Sequence, residues 1–128
     1  MARRALSRTW VWLDGRILPA ARAHVSVLDR GFLYGDALFE TLRCYAGEPF
    51  AWRRHHRRLA ASLRHFGIPE PRHDLRAAVR LLLRRHGVGD AVVRITISRG
   101  AGEGLLPPPR PRPTVLPSPR SSPSALAA

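Results

Sequence analysis

The sequence predicts an α+β domain in which antiparallel strands lie before and after a pair of helices. Three observations support this prediction: a hairpin signal near the start, helical spacing in the middle of the chain, and two strictly alternating stretches that flank it. Regular helices do not separate the strands, as they would in a doubly wound parallel sheet. With 128 residues, the chain has room for one modest domain.

The hairpin signal is the dipeptide Asp14-Gly15, which separates the apolar segments 10–13 and 16–18. Both residue types tolerate a positive φ, so this dipeptide favours a tight turn between two strands. The sequence therefore predicts a first hairpin here.

The two alternating stretches, 37–45 and 91–98, each predict a strand with two different faces. The first is followed by a predicted turn over 46–48 and a short returning strand over 49–52, whose initial proline stands where a missing N–H is tolerated. The second is predicted to lie at the edge of the core.

Helical spacing begins after the returning strand. Leu59, Leu63 and Phe66 recur at i, i+4 and i+7, which predicts a helix over 53–66 that ends at Gly67. A second helix is predicted between the capping residue Asp74 and Gly87. Its apolar stripe consists of Leu75, Ala78, Val79, Leu82 and Leu83.

The last part of the chain has a different composition. Residues 107–128 are dominated by proline, serine and arginine, a composition typical of extended or disordered segments. We therefore predict one folded domain over 1–106 and a disordered Pro/Ser/Arg-rich tail over 107–128.

The net charge of +13 raises the question of a polyanionic partner, since clustered cations bind nucleic acids by releasing counterions. However, all 22 basic residues are arginine and none is lysine, which indicates a compositional bias of the whole sequence, as a GC-rich genome would impose. Aromatic residues are not interleaved with the arginines. Nucleic acid is therefore not the predicted partner.

Cysteine and apolar content bear on the compartment. Cys44 is the only cysteine, so no internal disulfide can form and a reducing compartment is favoured. The apolar run 10–13 is far too short for a signal peptide or a membrane span. We expect a cytoplasmic protein without a membrane partner. The six histidines show no metal-ligand spacing, so no metal is predicted.

Some charged residues stand where chemistry is possible. Arg58 lies on a helix flank beside the apolar stripe, from which a guanidinium could bind phosphate, although a solvated helix face is the alternative. Arg43 and Arg94 lie within strands, so each either faces solvent or meets an anion in a pocket. Asp36 and Glu40 would be about 13 Å apart along a strand, too far for direct acid–base cooperation.

Three segments carry a family resemblance: VSVLDRGFLYGDALFETLRCYAGEPF at 25–50, HHRRLAASLRHFGI at 55–68 and AVVRITISRGAGEGLLPP at 91–108. In order and spacing they resemble the amino-terminal domain of the class IV (fold-type IV) pyridoxal-phosphate enzymes. That family includes branched-chain and D-amino-acid aminotransferases and aminodeoxychorismate lyase. The resemblance implies the small N-terminal domain of the D-amino-acid aminotransferase-like fold, an amino acid or keto acid substrate, and a homodimer.

The resemblance also implies roles for individual residues. Arg58 matches the arginine that binds the phosphate of pyridoxal 5′-phosphate, whereas Tyr34, Phe39 and Arg43 match positions that line the substrate pocket. Arg94 and Arg99 match positions that different members of the family use to hold the substrate carboxylate, so either could be the anchor here. Gly31 and Gly35 are expected to form a tight loop that brings Tyr34 to the pocket, so that Tyr34, Arg43 and Arg58 share one cleft.

One feature of the family is missing from this chain. Catalysis in these enzymes begins with a lysine that forms a Schiff base with the cofactor, and this sequence contains no lysine. The lysine of the family lies in a second domain, so no catalytic residue is assigned here. We expect a truncated N-terminal half of an aminotransferase or aminodeoxychorismate lyase-like protein, closer to the lyase and D-amino-acid enzymes than to the branched-chain enzymes, that cannot attach the cofactor covalently and is inactive alone.

A second class of function stays open beside the enzyme hypothesis. The arginine-rich domain could have kept the fold and become a non-catalytic binding module for nucleic acid or a protein partner. Steeply salt-dependent binding to unrelated nucleic acids would favour that alternative.

Overall fold

The computed structural model of the chain describes residues 8–120. It has the predicted α+β composition, with six strands and three helices as numbered here. The strands are β1 (Trp10–Leu13), β2 (Arg16–Pro19), β3 (Ala37–Tyr45), β4 (Glu48–Pro49), β5 (Ala91–Ser98) and β6 (Thr114–Pro119). The helices are α1 (Arg30–Tyr34), α2 (Trp52–Phe66) and α3 (Leu75–His86), and a 3₁₀ turn covers Ala20–Arg22.

The strands form two antiparallel sheets. The hairpin predicted at Asp14-Gly15 is confirmed as β1 and β2, with φ of 48° and 95° at the two turn residues. The larger sheet has the order β4-β3-β5-β6, and every neighbouring pair in it is antiparallel. Strand β5 has a partner on both sides, and its residues Val93, Ile95 and Ile97 are at most 1% exposed, so it lies within the core and the prediction that it lies at the edge of the core is wrong.

Both long helices end where the sequence predicted. Gly67 and Gly87 adopt left-handed conformations after α2 and α3, and the Asp74 side chain caps α3 by accepting a hydrogen bond from the Ala77 backbone N–H at 3.0 Å. The helices bury their apolar stripes against one face of the sheet, so the core lies between that face and the helices. The other face of the sheet carries the exposed side chain of Phe39.

The C-terminal region corrects the predicted domain boundary. Thr114–Pro119 form strand β6, which pairs with β5, so the folded part does not end near Leu106. The side chain of Val115 is only 2% exposed, and Pro117 is buried beside it. Prolines fit this strand because it is an edge strand, where a backbone without an N–H loses no ladder bond. Residues 121–128 of the predicted tail lie outside the described residues.

Two shorter elements also differ from their predictions. The returning strand β4 covers only Glu48–Pro49, because the chain turns at Ala51 and α2 already begins at Trp52. The segment predicted as a tight loop is helix α1, which the Asp29 side chain caps by accepting from the Gly31 N–H at 2.8 Å. Within residues 8–120, no helix is long and apolar enough to cross a membrane.

Ala51 adopts the left-handed conformation before α2, with φ of 55° and ψ of 38°, and caps the helix with no side-chain hydrogen bond. A residue with a Cβ is strained there, so Ala51→Gly is expected to raise the free energy of unfolding by about 0.5–1 kcal/mol. Ala61→Gly, the same change at an exposed position within α2, should lower it by about 1 kcal/mol. Thermal denaturation of both variants measures the difference, and equal losses of stability would contradict the strain at Ala51.

Candidate functional site

Arg58 belongs to a charge cluster between α2 and β3. Its Nε donates to Glu40 Oε1 and its Nη2 donates to Glu40 Oε2, both at 2.7 Å. Glu40 Oε2 also lies 2.7 Å from His55 Nδ1. His55 and Arg58 are three residues apart and therefore lie on the same side of α2. The carboxylate thus connects two side chains of the helix to the strand.

The side chains of Glu40 and Arg58 differ in how far they are buried. The Glu40 side chain is 7% exposed, whereas that of Arg58 is 64% exposed. Hydrogen bonds from Arg58 and His55 hold the pKa of Glu40 below its usual value, because together they outweigh burial, which would raise it. The hydrogen bond to Glu40 in turn raises the pKa of Arg58. An ionised carboxylate only accepts hydrogen bonds, so His55 Nδ1 carries the proton that it shares with Glu40. Arg58 is therefore a fixed, accessible cation.

Phe39 and Arg94 come together on the open face of the sheet. The Arg94 guanidinium lies 3.7 Å from the centre of the Phe39 ring, a cation–π contact. Arg94 pairs with Thr41 in the β3–β5 register, so Arg43 is its other diagonal neighbour on this face, at about 7–8 Å. Arg94 Nε is buried and has no hydrogen-bond partner among residues 8–120. Two cations thus lie on the same face of the sheet, and one of them, Arg94, has a buried donor without a partner among residues 8–120.

Arg99 occupies a different environment from Arg94. Its Nε donates to Asp36 Oδ2 at 2.7 Å, and its two Nη atoms donate to the backbone carbonyls of Phe66 and Gly67 at the end of α2. Arg99 is buried, and its guanidinium satisfies carbonyl groups that the helix leaves unpaired. In the structure, Arg99 stabilises the C-terminal end of α2. Its hydrogen bonds are made within the fold and not to a substrate carboxylate, the group that it was predicted to bind.

Asp36 is shared by two arginines. Arg30 Nε donates to the same Asp36 oxygen at 2.9 Å, and Arg30 Nη1 donates to the Gly104 carbonyl at 2.8 Å. Burial alone would raise the pKa of Asp36, but the hydrogen bonds from Arg99 and Arg30 outweigh it and hold the pKa below its usual value. Asp36 therefore links the end of α2 to the glycine-rich loop after β5.

Tyr34 lies at that loop. Its hydroxyl accepts a hydrogen bond from the Gly104 N–H at 3.1 Å, and the Arg30 guanidinium is 4.8 Å from its ring centre. Gly31 is required for close packing, since a Cβ there would lie 2.8 Å from that of Ser98. Only Gly35, with φ of 68°, has the turn conformation predicted for both glycines.

The predicted site residues do not all share one cleft. Arg43 and Phe39 alternate with Glu40 along β3, so Arg43 lies on the open face whereas Glu40, which holds Arg58, lies on the helix face. The expectation that Arg43 and Arg58 point into a common space is therefore wrong for residues 8–120. Two clusters remain, separated by the single strand β3.

Glu40 and His55 were missed as site residues, although the sequence contained a signal for them. Glu40 falls on the same face of β3 as Leu42, which the alternation assigns to the core. A carboxylate on a core face needs a cation. The nearest candidates are basic residues of α2 next to its apolar stripe: His55 lies one turn before Leu59, and Arg58 directly precedes it.

Comparison with known proteins identifies the family. The sequence model of the family described as amino-transferase class IV matches residues 37–128. The chain belongs to the class IV aminotransferase family. A putative branched-chain-amino-acid aminotransferase of Methanocaldococcus jannaschii is 35% identical over 109 residues, which cover 83% of this chain and 38% of that protein. The chain thus spans well under half the length of this relative.

Solved structures of class IV enzymes have the same fold. The crystal structure of 4-amino-4-deoxychorismate lyase from Pseudomonas aeruginosa matches with a TM-score of 0.71 and 39% identity over 85% of this chain and 38% of the lyase. A T.th. branched-chain amino acid aminotransferase complexed with N-(5′-phosphopyridoxyl)-L-glutamate matches with a TM-score of 0.75 and 28% identity, over 85% of this chain and 39% of that one. The prediction of the family is confirmed, and the alternative of a basic binding module gains no support.

The cofactor of class IV aminotransferases is pyridoxal 5′-phosphate, and this chain's residues fit one end of it. Arg58 uses Nε and one N–H of Nη2 on Glu40, so the edge formed by Nη1 and Nη2 remains available for a phosphate. No residue fits the carbonyl end, because the 128 residues include no lysine. Cys44 is no substitute nucleophile, since burial, with a smaller effect of Glu48, raises the pKa of its thiol to about 11.

Proposed function

We propose that this chain supplies the phosphate-binding and carboxylate-binding half of a class IV aminotransferase or aminodeoxychorismate lyase site. The observation that carries the proposal is the Arg58–Glu40 pair, in which a buried carboxylate holds an exposed guanidinium. An arginine fixed in this way offers two parallel hydrogen bonds to a phosphate oxygen pair. The likeness to an enzyme complexed with a phosphopyridoxyl ligand supports the same assignment.

On the open face, we assign the substrate carboxylate to Arg94. The buried Nε–H of Arg94 lacks a hydrogen-bond acceptor among residues 8–120. Arg43 adds a second positive charge on the same face. Phe39 packs against the Arg94 guanidinium and thereby restricts the positions that it can take. Tyr34 is assigned to the border of the substrate pocket, beside the glycine-rich loop. The substrate class is an amino acid or its keto acid.

Pyridoxal 5′-phosphate, when bound, supplies the electron sink for the carbanion of the substrate. Of the chain's own residues, Arg58 would hold the cofactor phosphate on the helix side of β3, and Arg94 would hold the substrate carboxylate on the open face. The amine for covalent attachment must come from outside these 128 residues, since none of them is lysine. We propose that a second, lysine-bearing domain of the class IV type provides it.

A chimera tests this proposal. Residues 8–120 of this chain would replace the matched segment of the Pseudomonas aeruginosa lyase, which keeps its remaining sequence. After borohydride reduction and gel filtration, mass spectrometry would measure covalently retained cofactor. We expect close to one cofactor per chain in the chimera and at least a tenfold loss of retention with Arg58→Met, because the phosphate then lacks its bidentate partner.

Retention that is the same in the chimera and in its Arg58→Met variant would contradict the proposed function. Glu48→Gln is the matched control, since Glu48 is an exposed carboxylate that pairs with Arg76 and Arg80 away from Arg58. Assays with amino acid donors and with 4-amino-4-deoxychorismate would then separate the transaminase from the lyase reaction.

A further inference from the structure

We infer that Glu40, supported by His55, is a positioning residue that orients Arg58 for a phosphate. This inference rests on the proposed function and adds two residues to it. Glu40 is directed away from the open face of the sheet, so it takes no part in the cluster around Arg94. Its two oxygens accept from Arg58 Nε, Arg58 Nη2 and His55 Nδ1, all at 2.7 Å.

The geometry explains why the helix alone would not suffice. An arginine on an exposed helix flank has a long, flexible side chain that samples many rotamers. Glu40 fixes one edge of the guanidinium, so the edge formed by Nη1 and Nη2, with one parallel N–H group on each atom, keeps a set direction. His55 Nδ1 donates to Glu40 Oε2, the same oxygen that accepts from Arg58 Nη2, and this third hydrogen bond restricts Glu40 itself. A phosphate then binds a guanidinium whose orientation has already been set by folding.

Electrostatics alone makes the opposite prediction. A carboxylate beside Arg58 partly neutralises it and repels a phosphate, so its removal would strengthen phosphate binding if charge were the only effect. Orientation predicts weaker binding instead, because the released side chain must be immobilised again by the ligand. The sign of the change therefore distinguishes a positioning residue from a mere counter-charge.

The test uses the 128-residue chain with two probes, pyridoxamine 5′-phosphate and pyridoxamine, which differ only in the phosphate. Titration calorimetry of Glu40→Gln is expected to show about fivefold weaker binding of the phosphorylated probe and unchanged binding of pyridoxamine. In an Arg58→Met background, Glu40→Gln should have no further effect, since the side chain that it positions is gone. Glu48→Gln is the control for the loss of a carboxylate elsewhere.

His55 provides variants that keep the carboxylate in place if Glu40→Gln does not fold. His55→Asn retains an N–H near the position of Nδ1 and is expected to keep the affinity for pyridoxamine 5′-phosphate, whereas His55→Leu removes the donor and should weaken it severalfold. A merely structural role would lower stability without this dependence on the ligand's phosphate.

Unchanged or tighter binding of pyridoxamine 5′-phosphate by Glu40→Gln, or equal affinities for His55→Asn and His55→Leu, would overturn the inference while leaving the proposed function in place. A failure of the proposed function looks different, because the unmodified chain would then bind both probes equally. In that case the inference loses its basis as well.

Discussion

Val115→Asp is expected to unfold the domain. The side chain of Val115 is 2% exposed and packs in the core from β6, where a carboxylate would have no cation and no hydrogen-bond donor among its apolar neighbours. Burying such a group costs more than about 4 kcal/mol, which is most of the free energy of unfolding of a domain of this size. Urea denaturation followed by circular dichroism would measure the loss.

The neighbouring residue provides the control. Leu116 pairs with Thr96 and lies on the open face of the sheet, half-buried, so Leu116→Asp should cost much less than Val115→Asp. If both variants were as stable as the unmodified chain, β6 would not belong to the fold and the domain would indeed end near Leu106.

Asp36→Asn is expected to lower the free energy of unfolding by about 3 kcal/mol at neutral pH, because two arginines lose the carboxylate that they share. The Asp36 side chain is only 20% exposed, so water does not replace the lost partner fully. In the folded state the pKa of Asp36 lies below its usual 3.8. Its contribution is therefore present above pH 3.8 and is lost as the pH falls through the folded-state pKa.

Denaturation curves at a series of pH values would check both the size and the sign of this effect. The difference between the unmodified chain and Asp36→Asn should be constant above about pH 5 and should shrink towards lower pH. Glu48→Gln should change stability little at any pH, since its exposed ion pairs are solvated. A difference between the unmodified chain and Asp36→Asn that grew on acidification would contradict the arginine cluster around Asp36.

Local patterns predicted most of the fold. The spacing of Leu59 and Leu63 and the glycines after each long helix located α2 and α3, because apolar periodicity and helix caps are properties of adjacent residues. Strand β6 was missed since its prolines are unfavourable in a strand with two neighbours and acceptable only at an edge. Whether a strand lies at an edge depends on the order of all strands in the sheet. A short stretch of sequence carries no information about that order.

The candidate site shows the same limit. The family resemblance predicted Arg58, Phe39 and Arg94 as site residues, and that remains a prediction; the sequence did not predict the side chains and carbonyls that each arginine contacts. Arg94 and Arg99 stand five residues apart in one motif, yet the first faces the open sheet and the second fastens the end of α2. Only the contacts between distant segments distinguish an arginine that is available to a ligand from one already used by the fold.

The most direct test of this account is the ratio of the dissociation constants of pyridoxamine and pyridoxamine 5′-phosphate for the 128-residue chain. We expect the phosphorylated probe to bind at least tenfold more tightly, and we expect Arg58→Met to bring the ratio close to one. A ratio near one for the unmodified chain, or a preference that Arg58→Met leaves intact, would contradict the assignment of Arg58 to the cofactor phosphate.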